Sequence, residues 1–307
     1  MQRLYFDYNA TAPLAHSVVH YLKNDLIPFG NPASLHTEGR ESRKIINEVS
    51  DYLFHLFGLS PKEFDLIYHS GATEGINLIV QGYAKTQKNF TYIYAGTDHS
   101  TSRNLADYFI QQKKSVIKLP VNNQGEIDFS KLPKSDASTL LNFLVINNET
   151  GVYHPLSIAE KIKAETGAFI HVDAVQMVGK IENWQKLSPH LDSYTFSGHK
   201  FGALKGTGFS FIKKNISLEP LFYGGGQQRG VRPGTQNPLG AMTLKLALEE
   251  WSEKINPSEC YEAREWLEDE LLKKYAQKIM IAGKNAKRAS NTTALILKGV
   301  ASDVATA

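Results

Sequence analysis

Between residues 64 and 215, short runs rich in β-branched and aromatic residues alternate with segments of helical length. No other feature of the 307-residue chain constrains its fold as much. The runs are Phe64–His69, Tyr92–Ala95, Ser115–Leu119, Leu141–Ile146, Phe169–Val172, Ser193–Phe196 and Gly208–Ile212, and most are separated by helical patterns such as Glu74–Ala84, Ser102–Lys113 and Ile158–Thr166. Parallel strands need a crossover, and a helix usually supplies it. The pattern therefore predicts an α/β fold with a mostly parallel sheet covered on both faces. The segment linking the last two runs is too short for a helix, so that pair is predicted to turn back in an antiparallel or edge arrangement.

After residue 238 the character changes to two long amphipathic helices, about 239–255 and 258–278, and then a β-like run, Thr293–Leu297. This predicts a large domain over 1–238 and the start of a smaller α+β domain over 239–307, with the first dozen or so residues packing on the smaller one. In the second helix Cys260, Ala263, Leu267, Leu271 and Tyr275 recur at helical spacing, which predicts a packed apolar stripe with the thiol on it. Residues 299–307 read as the first part of another helix, so the small domain is expected to be incomplete.

Composition excludes several classes. Hydrophobic residues at 42% and charged residues at 21% rule out collagen-like or largely disordered chains. A net charge of +3 is too small and dispersed for a nucleic-acid footprint, which favours a small-molecule ligand. Without a long apolar stretch or an apolar signal core at the start, the chain is expected in the cytoplasm and off the membrane. The single cysteine, Cys260, forms no intramolecular disulfide and no multi-cysteine metal site.

The segment Ser193–Lys200 reads as an apolar strand ending in small and polar residues with a lysine at its C-terminal end, the edge where open α/β sheets bind ligands. Lys200 is either a surface cation or a Schiff-base lysine for pyridoxal phosphate, with Ser197 and His199 beside the phosphate. The second possibility demands a carboxylate for the pyridine nitrogen, and Asp173 ends a β-branched run 27 residues earlier; alone it would be a helix cap. The phosphate needs a helix N-terminus. Ser70–Gly75 follows a strand and opens a helical pattern, placing Ala72 and Thr73 in the first turn, although a capping box is the plainer reading. His99 follows the second strand and could stack on a ring. Asn147–Gly151 is either a turn or a source of an amide for the ring hydroxyl. Gly224–Thr235, with two arginines, is either a flexible loop or one that closes over an anion. The absence of a Walker A or G-x-G-x-x-G sequence counts against nucleotide binding.

Taken together, Tyr5–Pro13, Phe29–Ser34, Ser70–Glu74, Asp98–His99, Asn147–Gly151, His171–Gln176, Ser197–Lys200 and Gly224–Thr235 resemble the signatures of class V aminotransferase-fold enzymes, above all the NifS/IscS-type cysteine desulfurases. The resemblance implies the fold type I architecture of pyridoxal-phosphate-dependent transferases, aspartate-aminotransferase-like. It implies Lys200 as the cofactor lysine, His99 for stacking and proton transfer, and Asp173 at the pyridine nitrogen. Gln176 and Asn148 would bond the ring oxygen, and Ala72, Thr73, Ser197 and His199 the phosphate. Thr235 would reach the phosphate of a neighbouring subunit in a homodimer with shared active sites, and Asn31 and Arg232 would line the substrate side; no metal is implied. The activity implied is removal of sulfur from L-cysteine to give L-alanine and an enzyme persulfide, passed to an acceptor protein for iron–sulfur cluster, thio-cofactor or tRNA biosynthesis. In the family the persulfide forms on a cysteine in a serine- and glycine-rich loop that this sequence does not contain, and Cys260 lies upstream of that loop's position. The chain is therefore expected to bind the cofactor without forming a persulfide. The alternatives are a non-catalytic cofactor-binding subunit and a selenocysteine-lyase-like class V enzyme.

Overall fold

The computed structural model describes residues 4–24 and 27–301. In chain order the elements are α1 (His16–Asn24), α2 (Thr37–Phe57), β1 (Phe64–His69), α3 (Ala72–Thr86), β2 (Thr91–Ala95), α4 (Ser100–Gln111), β3 (Ser115–Leu119), β4 (Thr139–Leu144), α5 (Leu156–Thr166), β5 (Phe169–Asp173), β6 (Ser193–Ser197), β7 (Gly208–Lys213), α6 (Pro238–Lys254), α7 (Pro257–Tyr275), β8 (Ile279–Ile281) and β9 (Leu295–Leu297). Residues 302–307, most of the helix expected at the C-terminus, lie outside the described residues.

Seven strands form one sheet in the order β1-β7-β6-β5-β4-β2-β3, and β8 pairs with β9 in a second. All neighbours in the large sheet are parallel except those of β7, which runs antiparallel to both β1 and β6. The short link after β6 thus gives an antiparallel pair, and β7 sits inside the sheet rather than at its edge. Side chains on successive residues face opposite sides of a strand, so nearly continuous apolar runs feed two cores. Ile93, Leu141, Ile170 and Phe211 enter the core under α1, α2 and α6; Tyr92, Leu140, Phe169 and Ile212 enter the core under α3 and α4.

Several boundaries move from their sequence expectation. Strand β4 lies two residues earlier than the apolar run Leu141–Ile146, because Val145 and Ile146 already belong to a return loop in which His154 N–H donates to the Val145 carbonyl. Helix α6 adds Ala241, Leu244, Ala247 and Leu248 to the main core. The stripe on α7 is not the packed face: Leu267 and Tyr275 are 43% and 39% exposed and Ala263 is exposed, while the buried residues are Arg264 and Glu268. The buried face is ionic. Arg288 donates to both oxygens of Glu268 at 2.6 and 2.7 Å, and Arg264 donates to the Ala289 carbonyl. Residues 287–290 bond in turn to Tyr153, Gly151 and Lys180, which fastens this segment to the loops of the large sheet.

Candidate active site

Strands β1, β2, β4, β5 and β6 end along one edge of the sheet, and the loops leaving that edge line a cavity of about 1130 Å³. This is where ligands bind in open α/β sheets. Its walls include Lys200, Asp173, His99, Asn148, Gln176, Ala72, Thr73, Ser197 and His199.

Lys200 follows β6 on a single 3-10 turn, Gly198–Lys200. Its Nζ donates to the carbonyls of Asn9 (2.7 Å) and Ala10 (2.8 Å), which the N-terminal segment brings over the sheet edge. Burial pulls this ammonium below the ordinary lysine value, against the opposing pull of Asp173 and Asp7. Asp173 closes β5 beside Leu144 of β4 and Thr195 of β6 and is 4% exposed. Val175 N–H bonds its Oδ1 at 3.2 Å. Burial raises this carboxyl, while the Val175 bond, the His99 ring and the Lys200 ammonium pull the other way.

His99 caps α4. Its Nδ1 accepts the Thr101 N–H at 3.2 Å, so the ring proton of the neutral form sits on Nε2. Beneath it Asp98 is buried; Asn142 donates to one oxygen at 2.9 Å and the other has no partner among the described residues.

Helix α3 opens onto the cavity with Gly71 at its N-cap and no side-chain cap. The capping-box alternative is half realised: Glu74 reaches back to the Ser70 N–H at 2.7 Å, yet Ser70 does not cap the helix. The first-turn N–H groups are thus left to a ligand, which favours an anion. A Cβ on Gly71 would stand 3.7 Å from Ser197 Oγ, so that hydroxyl adjoins the same turn. His199 completes this side, its Nδ1 3.1 Å from Thr11 Oγ1.

Opposite, the Gln176 amide is fixed at both ends, with Nε2 donating to the Asn9 carbonyl at 2.9 Å and Oε1 accepting from Lys180. The Asn147–Gly151 segment forms a turn and also borders the cavity. Asn147 Oδ1 builds the turn by accepting from the N–H groups of Glu149 and Thr150, and Asn148 faces the cavity.

Three predicted residues lie away from these walls. Thr235 is exposed on the loop after β7. Arg232 is bonded to Glu74 at 2.7 Å, and Asn31 borders a separate cavity of about 410 Å³. The 224–235 loop is pinned rather than loose: Arg229 pairs with Asp65, and the Gln228 amide bonds both backbone groups of Tyr68 on the outer edge of β1. The structure adds residues that sequence reasoning passed over. They are Asn9, which sits inside the Tyr5–Pro13 signature, Lys180, which follows Gln176 by four positions, and Asn291–Thr293, which carried no signal.

This donor set fits pyridoxal phosphate. Uncapped helix N–H groups and hydroxyls would take the phosphate, a buried carboxylate the ring nitrogen, and the lysine amine the aldehyde.

The family model for aminotransferase class V matches residues 4–307. The chain is 34% identical over 253 residues to a cysteine desulfurase of Nostoc, an alignment covering 81% of this chain and 62% of that one. It is 33% identical over 254 residues to a cysteine desulfurase IscS of Dictyoglomus turgidum, covering 81% and 64%. Across the first curated relatives the matched part spans 62 to 68% of their length. Among solved structures, a NifS-like protein superposes with a TM-score of 0.85 at 29% identity, covering 97% of this chain and 83% of the other. A NifS-like protein from Rickettsia africae gives 0.85 at 27% identity, covering 98% and 83%. Fold, cavity chemistry and these matches agree, and the chain belongs to the class V aminotransferase family, whose cofactor is pyridoxal phosphate.

Proposed function

We propose that this chain carries the cofactor and substrate chemistry of a cysteine desulfurase, acting on L-cysteine to release its sulfur and leave L-alanine. The observation that carries this reading is the placement of Asp173 at the end of β5 and Lys200 just past the end of the adjacent β6 at one cavity, each within the other's electrostatic reach, beside an uncapped helix N-terminus. When bound, pyridoxal phosphate supplies an electron sink for bonds at the amino acid's α and β carbons.

In this reading Lys200 would hold the cofactor's aldehyde carbon and its Nζ would take the α-proton of the substrate. Asp173, 4% exposed, would hold a proton at the ring nitrogen. His99 would lie against the ring and offer its Nε2 proton. Gln176 and Asn148 would hold the ring oxygen. The first turn of α3, with Thr73, Ser197 and His199, would hold the phosphate.

Thr235, exposed on a loop that also presents Phe222 and Tyr223, would reach the site of a second copy, making a homodimer with shared active sites. Residues 1–238 would form the cofactor-binding unit, with α6 bridging to the unit that follows. The product sulfur would pass to an acceptor protein in the cytoplasm for iron–sulfur or thio-cofactor assembly.

Cys260 is not the sulfur carrier in this proposal. It lies half-buried on α7, outside the cavity walls, and burial together with Glu259 pushes its thiol up, disfavouring the thiolate. That observation favours one second reading, a cofactor-binding role without persulfide formation on this chain's own cysteine.

The test is an absorbance spectrum of the purified protein, followed by borohydride reduction and peptide mapping. The result expected is a visible-edge band and label on Lys200; colourless protein, or label elsewhere, defeats the assignment. Treatment with L-cysteine followed by mass spectrometry should leave Cys260 unmodified.

A further inference from the structure

Beside the groups already given roles lies a second lysine. Lys180 is 2% exposed, yet no carboxylate pairs with it among the described residues. Its Nζ donates to Gln176 Oε1 and, at 2.9 Å, to Asn9 Oδ1. Asn9 is in turn saturated. Its Nδ2 donates to the Asn148 carbonyl (3.0 Å) and Thr292 Oγ1 (2.9 Å), and its own carbonyl accepts from Gln176 and Lys200. The Lys180 carbonyl accepts the Ser290 N–H. Lys180 thus ties the loop after β5 to the N-terminal segment through its amine and to Ser290 through its backbone carbonyl.

Position alone argues for a purpose. An unpaired amine sealed from water costs far more than an apolar side chain of the same length. Packing would be served equally by methionine.

We propose that Lys180 is a positioning residue for Lys200: its sealed amine clamps Gln176 and Asn9, and through Asn9, whose carbonyl accepts from Lys200, it holds the Lys200 amine where it can attack an aldehyde carbon. The inference rests on the cofactor role of Lys200 given above. In that attack the nitrogen bonds to the carbonyl carbon, the carbon–oxygen double bond is lost and its oxygen leaves as water, with no change of oxidation state. Only the uncharged amine has the lone pair to do this.

The groups facing Lys200 pull in both directions. Asp173 from β5 and Asp7 from the N-terminal segment favour its charged form, whereas burial opposes it. His199, Lys205 and, across Asp173, His99 stand around the same cavity. Burial and the positive charge of Lys200 bring Lys180 down to about 7, and its amine donates to Gln176 and Asn9 whether charged or neutral. The same amine fixes the Gln176 amide, with Oε1 on the Lys180 side and the Nε2 donor on the Asn9 side.

The experiment follows the rate at which cofactor-free protein takes up pyridoxal phosphate between roughly pH 6 and pH 10, read by absorbance, with borohydride and peptide mapping to place the label. In the Lys180→Met variant the uptake rate should fall by about tenfold across that range, and Lys180→Gln, which keeps an N–H donor, should retain more of it. Asn9→Ala, which frees one anchor of the Lys180 amine at a half-buried position, should slow uptake the same way by less, and serves if Lys180→Met does not fold. Uptake rates unchanged in the folded variants, while unaltered protein labels on Lys200, overturn the proposal. Failure of the unaltered protein to label on Lys200 overturns instead the reading on which the proposal rests.

Discussion

Asp98, one residue before the cavity-lining His99, is buried with one carboxylate oxygen bonded by Asn142 and the other without a partner among the described residues, and burial pushes its carboxyl up to about 7. Because the folded-state value stands above the ordinary aspartate value, the stability this group lends is complete below about pH 4 and is lost as pH rises through about 7. Asp98→Asn keeps an acceptor toward Asn142 and removes the titration. Its melting temperature should therefore exceed that of the unaltered protein at pH 8, with the gap closing toward pH 5; a gap of constant size would show that Asp98 is not the titrating group. Asp173 is buried in the same way but faces the ligand. Asp173→Asn should still take up pyridoxal phosphate at Lys200 while slowing solvent-deuterium exchange at the α-carbon of L-cysteine by about 100-fold or more, since the ring nitrogen loses its charged partner. Most of the residues expected to hold the cofactor line the cavity and could be read in the sequence, because they follow strand ends in short polar signatures. Lys180 and Asn9 were harder to see, because their importance comes from contacts spanning 171 positions of chain and from burial, neither of which leaves a local pattern.

At the level of elements, the site depends on how closely α3 settles onto the sheet. Gly75 stands where a Cβ would come within 2.4 Å of His69 Nε2 and 2.9 Å of Thr195 Cγ2. His69 cannot yield: it is buried, bonds Ser210 Oγ at 2.9 Å, and burial holds it neutral with a pKa near 4. Gly75→Ala should therefore lift the first turn of α3, costing about 1–3 kcal/mol in a denaturant melt and weakening pyridoxal phosphate retention together, because the helix that packs there is also the one proposed to cradle the phosphate. Equal affinity for the cofactor after that loss of stability would separate the two roles. The same closeness explains which elements could be read in advance. Strands β1 and β3 match their apolar runs and β7 runs one residue past its own; β7 is buried on both faces, whereas the edge strand β3 leaves Ser115 and Lys118 exposed and is marked by Val116, Ile117 and Leu119. The apolar stripe on α7 misled, since the helix buries instead two charged residues whose partners, Arg288 and Ala289, lie 20 residues or more along the chain. Hydropathy spacing cannot register an ion pair that satisfies itself internally.

Across the whole molecule, the far wall of the cavity is held by that ion pair. Glu268 is fully buried, takes two bonds from Arg288 and a third from Thr293, and stands 3.9 Å from Arg264. Burial pushes its carboxyl up, but the Arg288 and Thr293 bonds outweigh burial and hold it below the usual glutamate value. Its contribution is accordingly present above the ordinary glutamate value and is lost as pH falls through the lower folded-state one. The pair joins α7 to residues 288–293, and these reach Gly151, Lys180 and Asn9 around the cavity. Removing one partner leaves the other charge sealed without compensation, so Glu268→Ala should cost about 3–5 kcal/mol near neutral pH, well above the cost of losing an exposed pair. Urea melts should show that difference narrowing as the pH is lowered, because unaltered protein then loses the same contribution. Cofactor retention should fall along with stability, since Thr292 holds Asn9 and Asn9 holds Lys180, Gln176 and Lys200. Were Glu268→Ala to lose stability and keep full cofactor affinity, the 288–293 segment would be a neighbour of the site and not one of its supports.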